Sequence, residues 1–205
     1  MKAVIFDIGG VLEINPRTGW QQRWAARLGL EPEALIRRLE PVWSRGDVGE
    51  VTLAEVEQQV AHLLGHEYVS AFMGDVWAEY LGTLNDELAR YFAGLRPRYR
   101  TGIISNSFVG AREREQAAYG FEDMCDVVVY SHEEGMKKPD RRIYEIACQK
   151  LGVEPAEAIF LDDTPVAVEG AERAGMTAIR FIDNTQVIAE LDALLKISSA
   201  EPGRP

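Results

Sequence analysis

The sequence predicts an α/β protein, a Rossmann-like parallel sheet flanked by helices with an inserted helical cap. Three observations carry that expectation. Short runs rich in Val, Ile and Phe recur at A-V-I-F (3–6), T-G-I-I-S (101–105), D-V-V-V-Y (126–130), A-I-F-L-D (158–162) and T-A-I-R-F (177–181). Helical patterns near 110–119, 140–151, 164–174 and 185–196 follow the last four runs in turn, and such alternation implies a parallel sheet with helices on its faces. Between the first run and the second, residues 14 to 95 show several helical patterns and no convincing strand.

The first run is a buried strand by its length and its β-branched content. It ends on Asp7, with Gly9 and Gly10 just beyond. In the inserted region one helix begins near Trp20 and ends at Gly29, and a second starts at Pro32, a residue suited to a first helical turn. A third opens with T-L-A-E, where Thr52 and Glu55 have capping-box spacing and Gly65 follows the periodic run. Patterns at 67–81 and 85–94 complete the cap, whose Trp and Leu residues recur at core spacing. The expected division is therefore a core of residues 1–13 and 96–200, a cap of 14–95, and a tail of 201–205.

The chain has 205 residues, 46% of them hydrophobic, enough for a sizeable core. A net charge of −11 argues against nucleic acid or an anionic membrane surface as a partner. Cys125 and Cys148 form no C-x-x-C and read as free thiols of a reducing compartment. With no signal-like or membrane-spanning stretch, a cytoplasmic location is expected. Oligomeric state is not legible.

Three further strand ends or loops carry polar clusters: S-N-S (105–107), M-K-K-P-D (136–140) and L-D-D-T-P (161–165). Each alone has an ordinary reading, as a helix cap, a solvated loop or a turn. In a parallel sheet, however, all of them fall with Asp7 at the carboxyl edge, where open α/β sheets bind ligands.

At these residues the sequence resembles the haloacid dehalogenase superfamily. F-D-I-G-G-V-L is similar to its first motif, I-I-S-N-S to its second, G-M-K-K-P-D to its third and F-L-D-D-T-P to its fourth. The resemblance implies a nucleophile at Asp7 and a phosphate-binding hydroxyl at Ser105, with Lys138 as both a catalytic and a phosphate-binding cation. It further implies Mg²⁺ held by Asp7, the Gly9 carbonyl, Asp162 and Asp163, with Asn106 binding phosphate or substrate. The expected activity is hydrolysis of a small phosphorylated metabolite through an aspartyl-phosphate. The chemistry fits, because a carboxylate approaching a phosphate dianion is repelled unless a hard cation shields it.

One position departs from the pattern. Most phosphatases of this superfamily carry a second Asp two residues after the nucleophile, as general acid and base; here that position is Gly9. Losing such a group costs roughly 10²- to 10⁴-fold in rate, about 3–5 kcal/mol on the barrier. Water, Asp163, Glu13 or His66 could supply the proton, and Arg17, Trp20 and Arg45 near the cap tips could meet substrate. The absent acid leaves room for an impaired, ligand-binding regulator, and the superfamily also contains metal-free haloacid dehalogenases. The acidic pair at 162 and 163 favours a metal site over the latter.

Overall fold

The computed structural model describes residues 1–199; the tail expected at 201–205 lies outside the described residues. The chain begins with β1 (Ala3–Phe6), a short β2 (Glu13–Ile14), and four helices, α1 (Trp20–Leu28), α2 (Pro32–Gly46), α3 (Leu53–Leu64) and α4 (Val69–Leu81). There follow β3 (Thr83–Leu84), α5 (Asp86–Gly94), β4 (Arg100–Ser105), α6 (Ala111–Tyr119), α7 (Phe121–Met124) and β5 (Val127–Tyr130). The remainder is α8 (Ser131–Glu134), α9 (Arg141–Leu151), β6 (Ala158–Asp162), α10 (Pro165–Arg173), β7 (Thr177–Arg180) and α11 (Asn184–Ser199).

Five strands form one parallel sheet in the order β5–β4–β1–β6–β7. With β1 in the middle, the chain builds outward on one side and then on the other. The order therefore reverses beside β1, and its carboxyl end opens on the crevice where such sheets take ligands.

Alternation along β1 sorts its residues onto two cores. Val4 and Phe6 pack with α5, α7 and α11 through Leu88, Phe92, Phe121 and Leu191, whereas Ala3 and Ile5 pack with α9 and α10 through Ile143, Tyr144 and Ala171. A third cluster joins α1 to α4 around Trp20, Trp24, Leu35, Val56 and Phe72, and reaches Phe108 and Val109 beyond β4. The Thr52–Glu55 capping box is present at the start of α3. Trp20 is a core residue here, edge-on to Phe72.

One expectation needs correction. The region 14–95 does hold strand: β2 and β3 pair antiparallel as a two-stranded ribbon at the base of the insertion. In addition, α5 packs on the sheet. Its Leu88, Ala89 and Phe92 join the sheet core, where Phe6 stacks on Phe92 at 4.5 Å. Asn85, which caps α5, also bonds the Val11 carbonyl and Asn184, tying the helix to the core at both flanks. The buried residues of α5 thus belong to the sheet core, while those of α1 to α4 form the separate cluster.

Candidate active site

Asp7 is the residue at which β1 stops. Its N–H still donates to the Leu161 carbonyl, but the chain then turns sharply, with N–H groups of Val11 and Glu13 both returning to the Ile8 carbonyl. Gly10, at φ 74, makes that turn, and a Cβ there would stand 2.6 Å from Oδ2 of Asp163. The two glycines therefore serve different ends: Gly10 permits the turn and the approach of Asp163, while a Cβ on Gly9 would meet only Asn15 Oδ1 at 3.6 Å.

Lys138 is the electrostatic hub. Its Nζ lies 2.6 Å from Asp7 Oδ1 and 2.6 Å from Asp162 Oδ2, with all three side chains buried. The other oxygen of Asp162 accepts from the N–H and hydroxyl of Thr164. Both Asp162 oxygens are thus engaged, one with Lys138 and the other with Thr164. Asn106 fixes the same loop from the far side, accepting from the Lys138 N–H at 2.8 Å and donating to its carbonyl at 3.1 Å. Ser105 ends β4 nearly buried beside them. Lys137 faces away and pairs with Asp47.

Burial raises the Asp7 carboxyl to about 7, against the opposing field of Lys138. Burial likewise raises Asp163, with the Asp162 charge adding to it. Lys138 resists its own desolvation because Asp7 and Asp162 together raise its pKa. Oxygens of Asp7, Asp162 and Asp163 lie within 4.8 Å of one another, and one ammonium cannot balance them. A hard divalent cation suits this all-oxygen set, most directly through Asp7 and Asp163, whose oxygens are not both committed.

The sheet edge opens into a cavity of about 960 Å³ lined by Asp7, Gly9, Asn106, Lys138 and Asp163, with Ile14, Asn15, Asn85, Phe181 and Asn184 on its outer walls. Those outer residues were not singled out in the sequence; distant loops bring them together, and no local pattern marks them. The other candidates fall elsewhere. Arg17 lines a separate surface pocket, Arg45 lies 3.7 Å from Glu50 in an exposed ion pair, and His66 is exposed on a 3₁₀ turn after α3. The loop 46–50 docks on the core instead of lining the cavity, with the Asp47 carbonyl accepting from Ser131 Oγ at 2.7 Å. Glu13 is buried close behind the site.

Among the described residues no helix is long and apolar enough to cross a membrane. In sequence, the chain is 30% identical over 207 residues to a validoxylamine A 7'-phosphate phosphatase of Streptomyces hygroscopicus subsp. limoneus, covering 95% of this chain and 93% of that protein. It is also 30% identical over 204 residues to mouse acyl-CoA dehydrogenase family member 10, spanning 95% of this chain but only 19% of that protein's length. A HAD-family enzyme from Bacteroides thetaiotaomicron, crystallised with magnesium and inorganic phosphate, shares the fold at a TM-score of 0.76. That likeness is 20% identical and covers 91% of this chain and 98% of the other. Residues 1–175 match the family of haloacid dehalogenase-like hydrolases, with the four polar clusters gathered at one sheet edge, and the chain belongs to that family.

Proposed function

We propose that the protein is a Mg²⁺-dependent phosphatase acting on a small phosphorylated metabolite. The observation that carries this reading is the junction of Asp7, Lys138 and Asp163 at the mouth of one cavity, a nucleophile beside a fixed cation and a second metal-binding acid. Asp7 and Asp163, with the Gly9 carbonyl, would hold the metal, and Asp162 would keep Lys138 in place. The bound cation would keep Asp7 ionised and offset charge on the phosphate.

In the reaction, a carboxylate oxygen of Asp7 bonds to phosphorus as the bond to the ester oxygen breaks, and the leaving group takes a proton from water. Water then attacks phosphorus, releasing inorganic phosphate and restoring Asp7. Lys138, the Ser105 hydroxyl and Asn106 would stabilise the charge spread over the phosphoryl oxygens. Because no acid stands at Gly9, leaving groups that need little protonation should react fastest. Displacement of halide from carbon needs no metal, and the excess of acids over cations at the site speaks against it.

The test is Asp7→Asn, which removes the nucleophile without altering volume. Turnover of p-nitrophenyl phosphate with Mg²⁺ should vanish while the melting temperature stays near that of the unaltered protein. Undiminished hydrolysis would reject the mechanism. Ligand-induced stabilisation with no turnover by the unaltered protein would favour a binding role instead.

A further inference from the structure

Two buried carboxyl groups, Glu13 on β2 and Glu115 on α6, have no part in that reaction. Glu13 is 1% exposed and Glu115 0%. Among the described residues, Oε1 of Glu13 and both oxygens of Glu115 have no well-formed hydrogen bond. The Tyr80 and Tyr130 hydroxyls lie close enough to Glu115 to ease its charge, and the Asn15 side chain does the same for Glu13, but none forms a well-aligned hydrogen bond to the orphaned oxygens. Arg112, the cation whose field reaches Glu115, spends its donors on Glu122 and Glu133. An unpaired buried carboxylate costs several kcal/mol, so two in one place call for a physical reason.

Both acids face a chamber of about 240 Å³, walled also by Gly9, Ser105, Asn106 and Tyr80. That is under the roughly 300–1,000 Å³ of drug-sized sites, and suits a small head group. The chamber shares Gly9, Asn15 and Asn106 with the large cavity, so one molecule can reach the nucleophile and the acids together. No Lys, Arg or His is among its lining residues, and its third acid, Glu79, is already bonded by Thr18 and Gln21.

We propose that this chamber is a leaving-group subsite for a protonated amine, making the substrate a phosphate monoester of an amino alcohol or amino sugar. The assignment rests on the phosphatase reading of the same site. A bound ammonium stabilises the ionised form of carboxyls that otherwise hold their protons, and its N–H groups match their free oxygens. A bare metal ion would leave most of the chamber to water, whereas an amine on a carbon frame fills it. Burial raises Glu115 to about 7, only partly offset by Arg112, whose donors are engaged elsewhere.

The experiment compares matched phosphate esters on the full chain with Mg²⁺ and K⁺ held constant: glucosamine 6-phosphate against glucose 6-phosphate, and phosphoethanolamine against glycerol 3-phosphate. Hydrolysis of p-nitrophenyl phosphate reports the phosphatase chemistry itself. The amine member of at least one pair should win by tenfold or more in kcat/KM. Glu115→Gln, which keeps the volume, should bring that ratio toward one, and Glu13→Gln should do so in part. Aryl phosphate turnover with no amine preference, or a preference that survives both variants, overturns the subsite while leaving the phosphatase standing. If p-nitrophenyl phosphate is not hydrolysed, the phosphatase reading fails, and the chamber is read by melting temperature. Stabilisation by glucosamine but not glucose, lost in Glu115→Gln, then supports the amine site, and its absence overturns it.

Discussion

The two glycines beyond Asp7 differ in how much room they have, and each makes a different substitution informative. A Cβ on Gly9 has room, its nearest contact being Asn15 Oδ1 at 3.6 Å, so Gly9→Asp should fold. If the missing acid limits the rate, that variant should speed glycerol 3-phosphate hydrolysis by ~10- to 100-fold and p-nitrophenyl phosphate hydrolysis much less. An equal gain on both, measured as kcat/KM, would count against the acid–base account. Gly10→Ala asks the opposite question. Its backbone sits at φ 74, which costs a residue with a Cβ ~1–2 kcal/mol, and the new methyl would press on Asp163. A carboxylate pushed aside should weaken Mg²⁺ binding by ~10-fold or more, read as a shift in the Mg²⁺ midpoint of a thermal titration. An unmoved midpoint would take Asp163 out of the metal site.

At the scale of elements, the loop after α2 meets the core through a contact that tolerates little change. Gly49, in the loop after α2, has φ 68, and a Cβ there would lie 1.9 Å from the His132 carbonyl oxygen. Nearby, Ser131 bonds the Asp47 carbonyl and Lys137 pairs with the Asp47 side chain. Gly49→Ala should therefore destabilise the protein by ~2 kcal/mol or more and speed proteolysis between α2 and α3. Unchanged melting temperature and cleavage would show that the loop yields easily. The five sheet strands and the helices between them were legible because each is short, β-branched and followed by a periodic segment. The two-stranded ribbon was not, since Glu13–Ile14 and Thr83–Leu84 are too brief to show alternation. Nor was the allegiance of α5: periodicity reveals that a helix has an apolar face, but not which surface that face meets. Asp7, Ser105 and the acidic pair stand out as polar residues closing apolar runs, and Lys138 through the M-K-K-P-D loop. Glu115 does not, because within A-R-E-R-E-Q it looks like one more charge on a solvated face, and only packing against Tyr80 and Tyr130 buries it.

For the whole molecule, buried acids tie stability to pH. The Glu115 carboxyl, raised by burial from 4.5 to about 7, binds a proton in the folded state that the unfolded chain has already released. Its contribution is fully present below pH 4.5 and is lost as the pH rises through about 7. Glu13, raised to about 9, extends the same trend upward, and a net charge of −11 adds self-repulsion in the same direction. The folded protein should therefore be most stable at mildly acidic pH and lose stability steadily toward pH 9, the reverse of a protein held by salt-bridged surface carboxylates. Glu115→Gln has the same shape and no proton to lose, so it isolates one part of that slope. Its stability should fall more gently than that of the unaltered protein between pH 4.5 and 7, by on the order of 2–3 kcal/mol over the interval. Urea unfolding at half-unit steps of pH would measure both curves. Parallel curves would mean that Glu115 keeps an ordinary affinity for protons, as it would if water or a tyrosine hydroxyl satisfied it, and the chamber would then hold no unmet negative charge for a ligand to answer.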